Sequence, residues 1–135
     1  MRLWHYKLIP YLPRTQLLAQ WRELNSIFKK QDKHILINYV YEYEKIDLHE
    51  YSLMVIKEMT HRGYNFKLYN FFAYFRSVIC CKGRGLYVPF KNHHTDQYLI
   101  QCFYNLQEKF DRGQKDFTTE QYDNLEDFIK GELKI

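Results

Sequence analysis

Residues 15–30 read Thr15-Gln16-Leu17-Leu18-Ala19-Gln20-Trp21-Arg22-Glu23-Leu24-Asn25-Ser26-Ile27-Phe28-Lys29-Lys30. Leu17, Trp21, Leu24 and Phe28 recur at i, i+4, i+7 and i+11, the period of one face of a helix, after the loop signals Pro10, Pro13 and Thr15. The spacing predicts a helix from Thr15 to Lys30. On a helical projection Ala19, Arg22, Glu23, Ser26, Lys29 and Lys30 fall opposite the apolar stripe. Glu23 is the one carboxylate of that polar face. Its neighbours three and four residues away are Ala19, Gln20, Ser26 and Ile27, so no Lys or Arg of its own helix neutralises it.

The same period continues along the chain. A second helix is expected where Asp47 caps free amides and Glu50 completes a capping box. It carries Leu48, Tyr51, Val55 and Met59 to a stop at Gly63, with apolar residues on nearly every side. A third begins near Thr95 and carries Leu99, Phe103, Leu106 and Phe110 before Gly113. A fourth opens with Thr118 and Gln121, uses Tyr122, Leu125 and Ile129, and stops at Gly131. Between Tyr64 and Phe90, Leu68, Phe72, Phe75 and Ile79 fit a helical face, although the aromatic density there also suits short strands. Lys82-Gly83-Arg84-Gly85 reads as a flexible basic turn leading into extended Tyr87-Val88-Pro89. The expected fold is mainly α, a compact single domain over residues 1–135 with about four main helices and long loops.

With 135 residues, 46% of them apolar, the chain suffices for one core and not for two ordinary domains. The net charge of +4 says less than its distribution. Residues 1–40 hold seven basic and two acidic side chains and residues 59–95 six and none, whereas 41–58 and 96–135 are net acidic. If the two basic stretches meet in space, they form a surface for a polyanion. The longest aliphatic run, Leu53 to Ile56, is far below the roughly 20 residues of a membrane helix. The amino terminus lacks the apolar region and cleavage site of a signal peptide. A cytoplasmic protein is expected, nucleoid-associated if bacterial, with Cys80, Cys81 and Cys102 as free thiols. A zinc site from Cys80, Cys81, His93 and His94 is disfavoured, because adjacent cysteines strain tetrahedral chelation. No metal and no cofactor are expected. Gly83-Arg84-Gly85 lacks the Lys-Ser/Thr and helix start of a phosphate loop.

Leu17-Leu18-Ala19-Gln20-Trp21-Arg22-Glu23-Leu24 resembles the Leu-Leu-Gly-Glu-His-Arg-Glu-Leu helix of the pyrimidine-dimer DNA glycosylase / AP lyase family. The likeness extends, in order, to Lys33-His34, to Glu58-Met59-Thr60-His61-Arg62-Gly63-Tyr64-Asn65, which resembles a Lys-Arg-Gly-Phe-Asn helix end, and to Tyr87-Val88-Pro89, which resembles Tyr-Ile-Pro. It covers roughly three quarters of the chain. The segment between His34 and the second helix is shorter than in a phage member, and an acidic helix stands in place of that member's basic aromatic tail. Ser26 stands where the family has a second arginine one turn beyond Arg22.

The resemblance implies a nucleophilic amino-terminal amine assisted by a helix glutamate. Here these are the α-amine of Met1, since Met1-Arg2-Leu3 aligns with the Thr-Arg-Ile start of the phage member, and the carboxylate of Glu23. An α-amine titrates near 7.7–8.0, so a useful fraction is unprotonated at neutral pH. The implied partner is damaged double-stranded DNA, with pyrimidine dimers as the lesion the resemblance points to, and with no membrane and no metal involved. Phosphate contacts would come from Arg2, Arg22, Lys29, Lys30, Lys33, Arg62, Arg84 and Lys91, with His34 beside them. His5 is read as packed or exposed near the amine, where it would shift its titration or contact substrate. The alternative from another class is a noncatalytic nucleic-acid-binding protein of the same fold.

Overall fold

A run of buried apolar positions from Leu3 to Ile129 forms one continuous core, and helices deliver most of it. The structure, a computed structural model, describes residues 2–31, 33–76 and 88–134. Among these residues there are five α-helices, two short 3-10 helices and no strand. Helix α1 spans Arg14–Lys30, α2 Lys45–His61, α3 Tyr69–Tyr74, α4 Asp96–Asp111 and α5 Thr119–Leu133. The mainly α expectation with four long helices therefore holds. The 3-10 helices Tyr6–Tyr11 and Asn38–Glu42 had no anticipated counterpart. Each is too short for a period to register, and Pro10 inside the first reads as a loop signal.

Helix α1 begins where Pro13 supplies its carbonyl to Leu17 N–H, and it closes on Gln31 in the left-handed region at φ 49°. Lys29 and Lys30 in the last turn suit the negative end of the helix dipole. Leu17, Trp21, Leu24 and Phe28 are all buried, as their spacing requires. Phe28 meets Phe71 and Phe75 edge-on at 5.9 and 5.3 Å, and Trp21 meets Phe66 likewise at 5.6 Å, the geometry aromatic quadrupoles favour. These contacts pack α1 on α3, while α2 sits against α1 and both 3-10 helices, and α5 against α4 and the first 3-10 helix.

The glycine stops at Gly63 and Gly113 have a common cause. Both lie at φ near +80°, and each is followed by an N–H that reaches back to a carbonyl of the last turn, Tyr64 to Met59 and Gln114 to Lys109. Gly131 behaves differently: it lies inside α5, which runs on to Leu133 and closes on Lys134 at φ 58°. The capping box at Thr118 and Gln121 is present, and Thr95 caps α4 by accepting from Tyr98 N–H.

The expected capping box of α2 is corrected. The helix starts three residues earlier, after Glu44, and Asp47 is a buried member of its first turn. The Asp47 carboxylate accepts from Phe90 N–H at 2.8 Å, which ties the loop before α4 to α2 and holds Phe90 at φ 54°. Among the described residues, α3 is the helix found after Tyr64 in that stretch. There Phe71 and Phe75 point inward and Phe72 is 61% exposed, because the i, i+4 pair facing Phe28 and His49 begins at Phe71. Ile79, Cys80, Cys81 and the Lys82–Gly85 turn lie outside the described residues; Cys102 is a buried free thiol.

Candidate active site

The first residues of the chain form an extended strap whose backbone is tied at every step. Gln20 donates to Arg2 C=O at 3.3 Å and its Oε1 accepts from Trp4 N–H at 2.8 Å. Tyr98 Oη donates to Leu3 C=O at 2.5 Å, and Tyr51 Oη donates to Trp4 C=O at 2.7 Å while lying 3.0 Å from Gln20 Oε1. Trp4, Gln20 and Tyr51 are buried, and buried backbone polar groups must be paired. The strap is thereby fixed across α1, α2 and α4 at once.

It continues into a histidine pair. His5 Nδ1 accepts from Lys7 N–H at 3.1 Å, so its proton sits on Nε2, which faces His94 C=O at 3.0 Å. His94 Nδ1 accepts from Tyr6 N–H at 3.2 Å, and its Nε2 lies 2.7 Å from Tyr39 Oη. Burial strips water from both imidazoles and holds His5 down at about 4 and His94 at about 3, so both are neutral near pH 7. The backbone N–H groups aimed at the two Nδ1 atoms demand the same state. His5 is 1% exposed, the packed of its two expected placements, and is an internal anchor of the strap. His93 is half-buried and stacks on Tyr39 at 4.6 Å.

Beside the strap lies a cavity of about 340 Å³. Arg2 and Trp4 contribute from the strap, Gln16, Ala19, Gln20 and Glu23 from α1, Leu36 from the loop after α1, and Asn105 and Lys109 from α4. Glu23, opposite the apolar stripe of α1, is 3% exposed. The strap covers that flank of α1, and Gln20, one turn before Glu23, is buried with it. Among the described lining residues Glu23 is the one acid, with the cations Arg2 and Lys109 around it. Such a cavity offers a carboxylate for proton work together with positive charge for a phosphate. Gln20, Tyr51 and Tyr98, which bond the strap, and Asn105 and Lys109, which line the cavity from α4, were not singled out in the sequence, since nothing local marks a residue whose partner is distant in the chain.

The remaining candidates divide. Arg22, Ser26 and Lys29 join Asn65, Lys67 and Asn70 in a second groove of about 480 Å³ on the other side of the exposed ridge of α1. The two basic stretches of sequence do meet there. Ser26 Oγ, in place of the family arginine, bonds back to Arg22 C=O at 3.2 Å. Lys30, Lys33, His34 and Lys91 are exposed. Arg62 is drawn away from the cavity: its guanidinium bonds Glu58 at 2.8 Å and Pro10 C=O at 3.2 Å. Met1 and Arg84 lie outside the described residues. No cluster of three or more metal-ligating side chains occurs among the described residues, and none of the described helices is long and apolar enough to cross a membrane.

Comparison with curated proteins and with solved structures returns no match. A family model does match, described as pyrimidine dimer DNA glycosylase, over residues 1–69. The matched half contains the strap, α1 with Gln20 and Glu23, the loop carrying Leu36, and α2 with Tyr51. With the strap and Glu23 on one cavity inside that stretch, the chain belongs to the pyrimidine dimer DNA glycosylase family.

Proposed function

We propose that the protein removes damaged pyrimidines from double-stranded DNA and cuts the strand at the resulting site, with the Met1 α-amine as nucleophile and Glu23 as its acid and base. The amine attacks C1′ of the damaged nucleotide, and the base departs with the electron pair of the glycosidic bond and takes up a proton. Opening of the sugar ring moves the C1′–ring-oxygen pair onto oxygen, which is protonated, and leaves an imine. The imine is an electron sink: loss of a C2′ proton to Glu23 drives β-elimination of the 3′-phosphate. Water then hydrolyses the imine and frees the chain. A lesion already weakens stacking, so the cost of reaching C1′, a few kcal/mol, is smallest where the enzyme is needed.

The observation that carries this reading is that Arg2 and Glu23 line the same cavity. Met1 precedes Arg2 in the chain. Arg2 and Lys109, which line the cavity, supply positive charge for the flanking phosphates. The proposal requires an unblocked Met1, which intact-mass measurement of the native protein reports. Borohydride reduction in the presence of abasic or dimer-containing duplex should trap a covalent complex, and prior acetylation of the amine should abolish it. Glu23→Gln should lower strand cutting about a hundredfold or more while leaving binding nearly intact. Ser26 favours a second reading, a noncatalytic nucleic-acid binder, because the second helix arginine of the family is absent. Salt-sensitive DNA binding with no trapping would select that reading.

A further inference from the structure

Ile35 is 85% exposed, more than any other large apolar side chain among the described residues. It stands on a closed turn. Ile37 N–H and Asn38 N–H both donate to His34 C=O at 2.8 Å, Asn38 Oδ1 accepts from His34 N–H at 2.8 Å, and His34 Nδ1 accepts from Leu36 N–H at 3.2 Å. Ile37, fully buried, pins the turn to the core. Its neighbour Leu36 lines the Glu23 cavity. Lys29, Lys30, Lys33 and His34 precede it against a single carboxylate, Asp32.

A lone exposed isoleucine is ordinary on a protein surface. A stiff β-branched side chain at the tip of a self-bonded turn, framed by cations and one residue from a cavity that admits a sugar, has a more specific use. We propose that Ile35 is a wedge that enters a base step of duplex DNA beside the Glu23 cavity and holds it open. Apolar wedges of this size unstack a step and kink the duplex, while adjacent lysines hold the phosphates on either side. The turn's own hydrogen bonds keep the side chain presented before DNA arrives, so little order is lost on binding. The inference rests on the reading of the cavity as a DNA site and adds how the duplex is opened there.

The test uses the full chain and a duplex carrying 2-aminopurine next to an abasic site, with borohydride trapping measured in parallel on the same site in duplex and in single-stranded DNA. Wild type should raise the 2-aminopurine fluorescence on binding. Ile35→Ala should lose that rise at saturating protein, and its duplex-to-single-strand trapping ratio should fall about tenfold, the scale of one buried aliphatic side chain. Ile35→Leu should restore both. Fluorescence in Ile35→Ala equal to wild type overturns the wedge. So does concentration-dependent self-association of wild type that Ile35→Ala abolishes with the DNA signals unchanged, which would assign the residue to a protein contact. A fluorescence rise with no trapping on any DNA supports the wedge and refutes the catalytic reading, so the two fail separately.

Discussion

Acidification should loosen this fold well before its carboxylates titrate. His5 and His94 are held at about 4 and about 3, against 6.5 for an unhindered imidazole. Burial is the main cause in both. Around His5, Lys7 adds to the depression and Asp96, Glu132 and the His94 carbonyl oppose it. Between pH 6.5 and 4 the unfolded chain therefore binds protons that the folded chain refuses, so stability falls as pH falls. Each group contributes about 1.4 kcal/mol per pH unit across that window, which is about 2 kcal/mol per histidine at pH 5 and about 4 for the pair. His49, also lowered by burial, acts in the same direction. Against a total of about 5–15 kcal/mol this is a large share. Urea unfolding followed by the fluorescence of Trp4 and Trp21 should show the midpoint dropping by about 2 M from pH 7.5 to 5, taking about 2 kcal/mol per molar for the slope. A midpoint unchanged over that range would refute the neutral-histidine anchor, as would the same pH slope in a folded His5→Gln/His94→Gln variant.

Gln20→Leu removes both side-chain bonds to the strap and leaves Trp4 N–H buried without its acceptor. It should cost about 2–4 kcal/mol by urea unfolding and lower borohydride trapping more than it lowers DNA affinity. Asp47→Ala strips the acceptor from the buried Phe90 N–H and should cost about 1–3 kcal/mol, read as a lowered thermal midpoint. Arg22→Ala combined with Lys29→Ala should reduce the slope of log affinity against log salt by about 0.9 for each phosphate no longer neutralised, with equal effect on damaged and undamaged duplex. An unchanged slope would remove that groove from the DNA-binding surface.

Local chemistry in the sequence determined the four long helices and one half of the site. The Leu17/Trp21/Leu24/Phe28 stripe, the Thr118/Gln121 cap and the glycines at 63 and 113 each act within a turn or two of the chain, so spacing alone specifies them. Glu23 was legible as a carboxylate that its own helix leaves unexplained. Only the tertiary structure decided that Glu23 is buried, that Asp47 serves the loop at Phe90, and that His5 faces inward. Those outcomes depend on partners far away in sequence: Gln20 and Tyr51 on the strap, His94 on His5, Lys109 across from Glu23. A helical period reports which side of a helix is apolar. It carries no information about a polar flank that an extended segment comes to cover, because the pairing of buried amides and carbonyls that holds such a segment is set by packing in three dimensions.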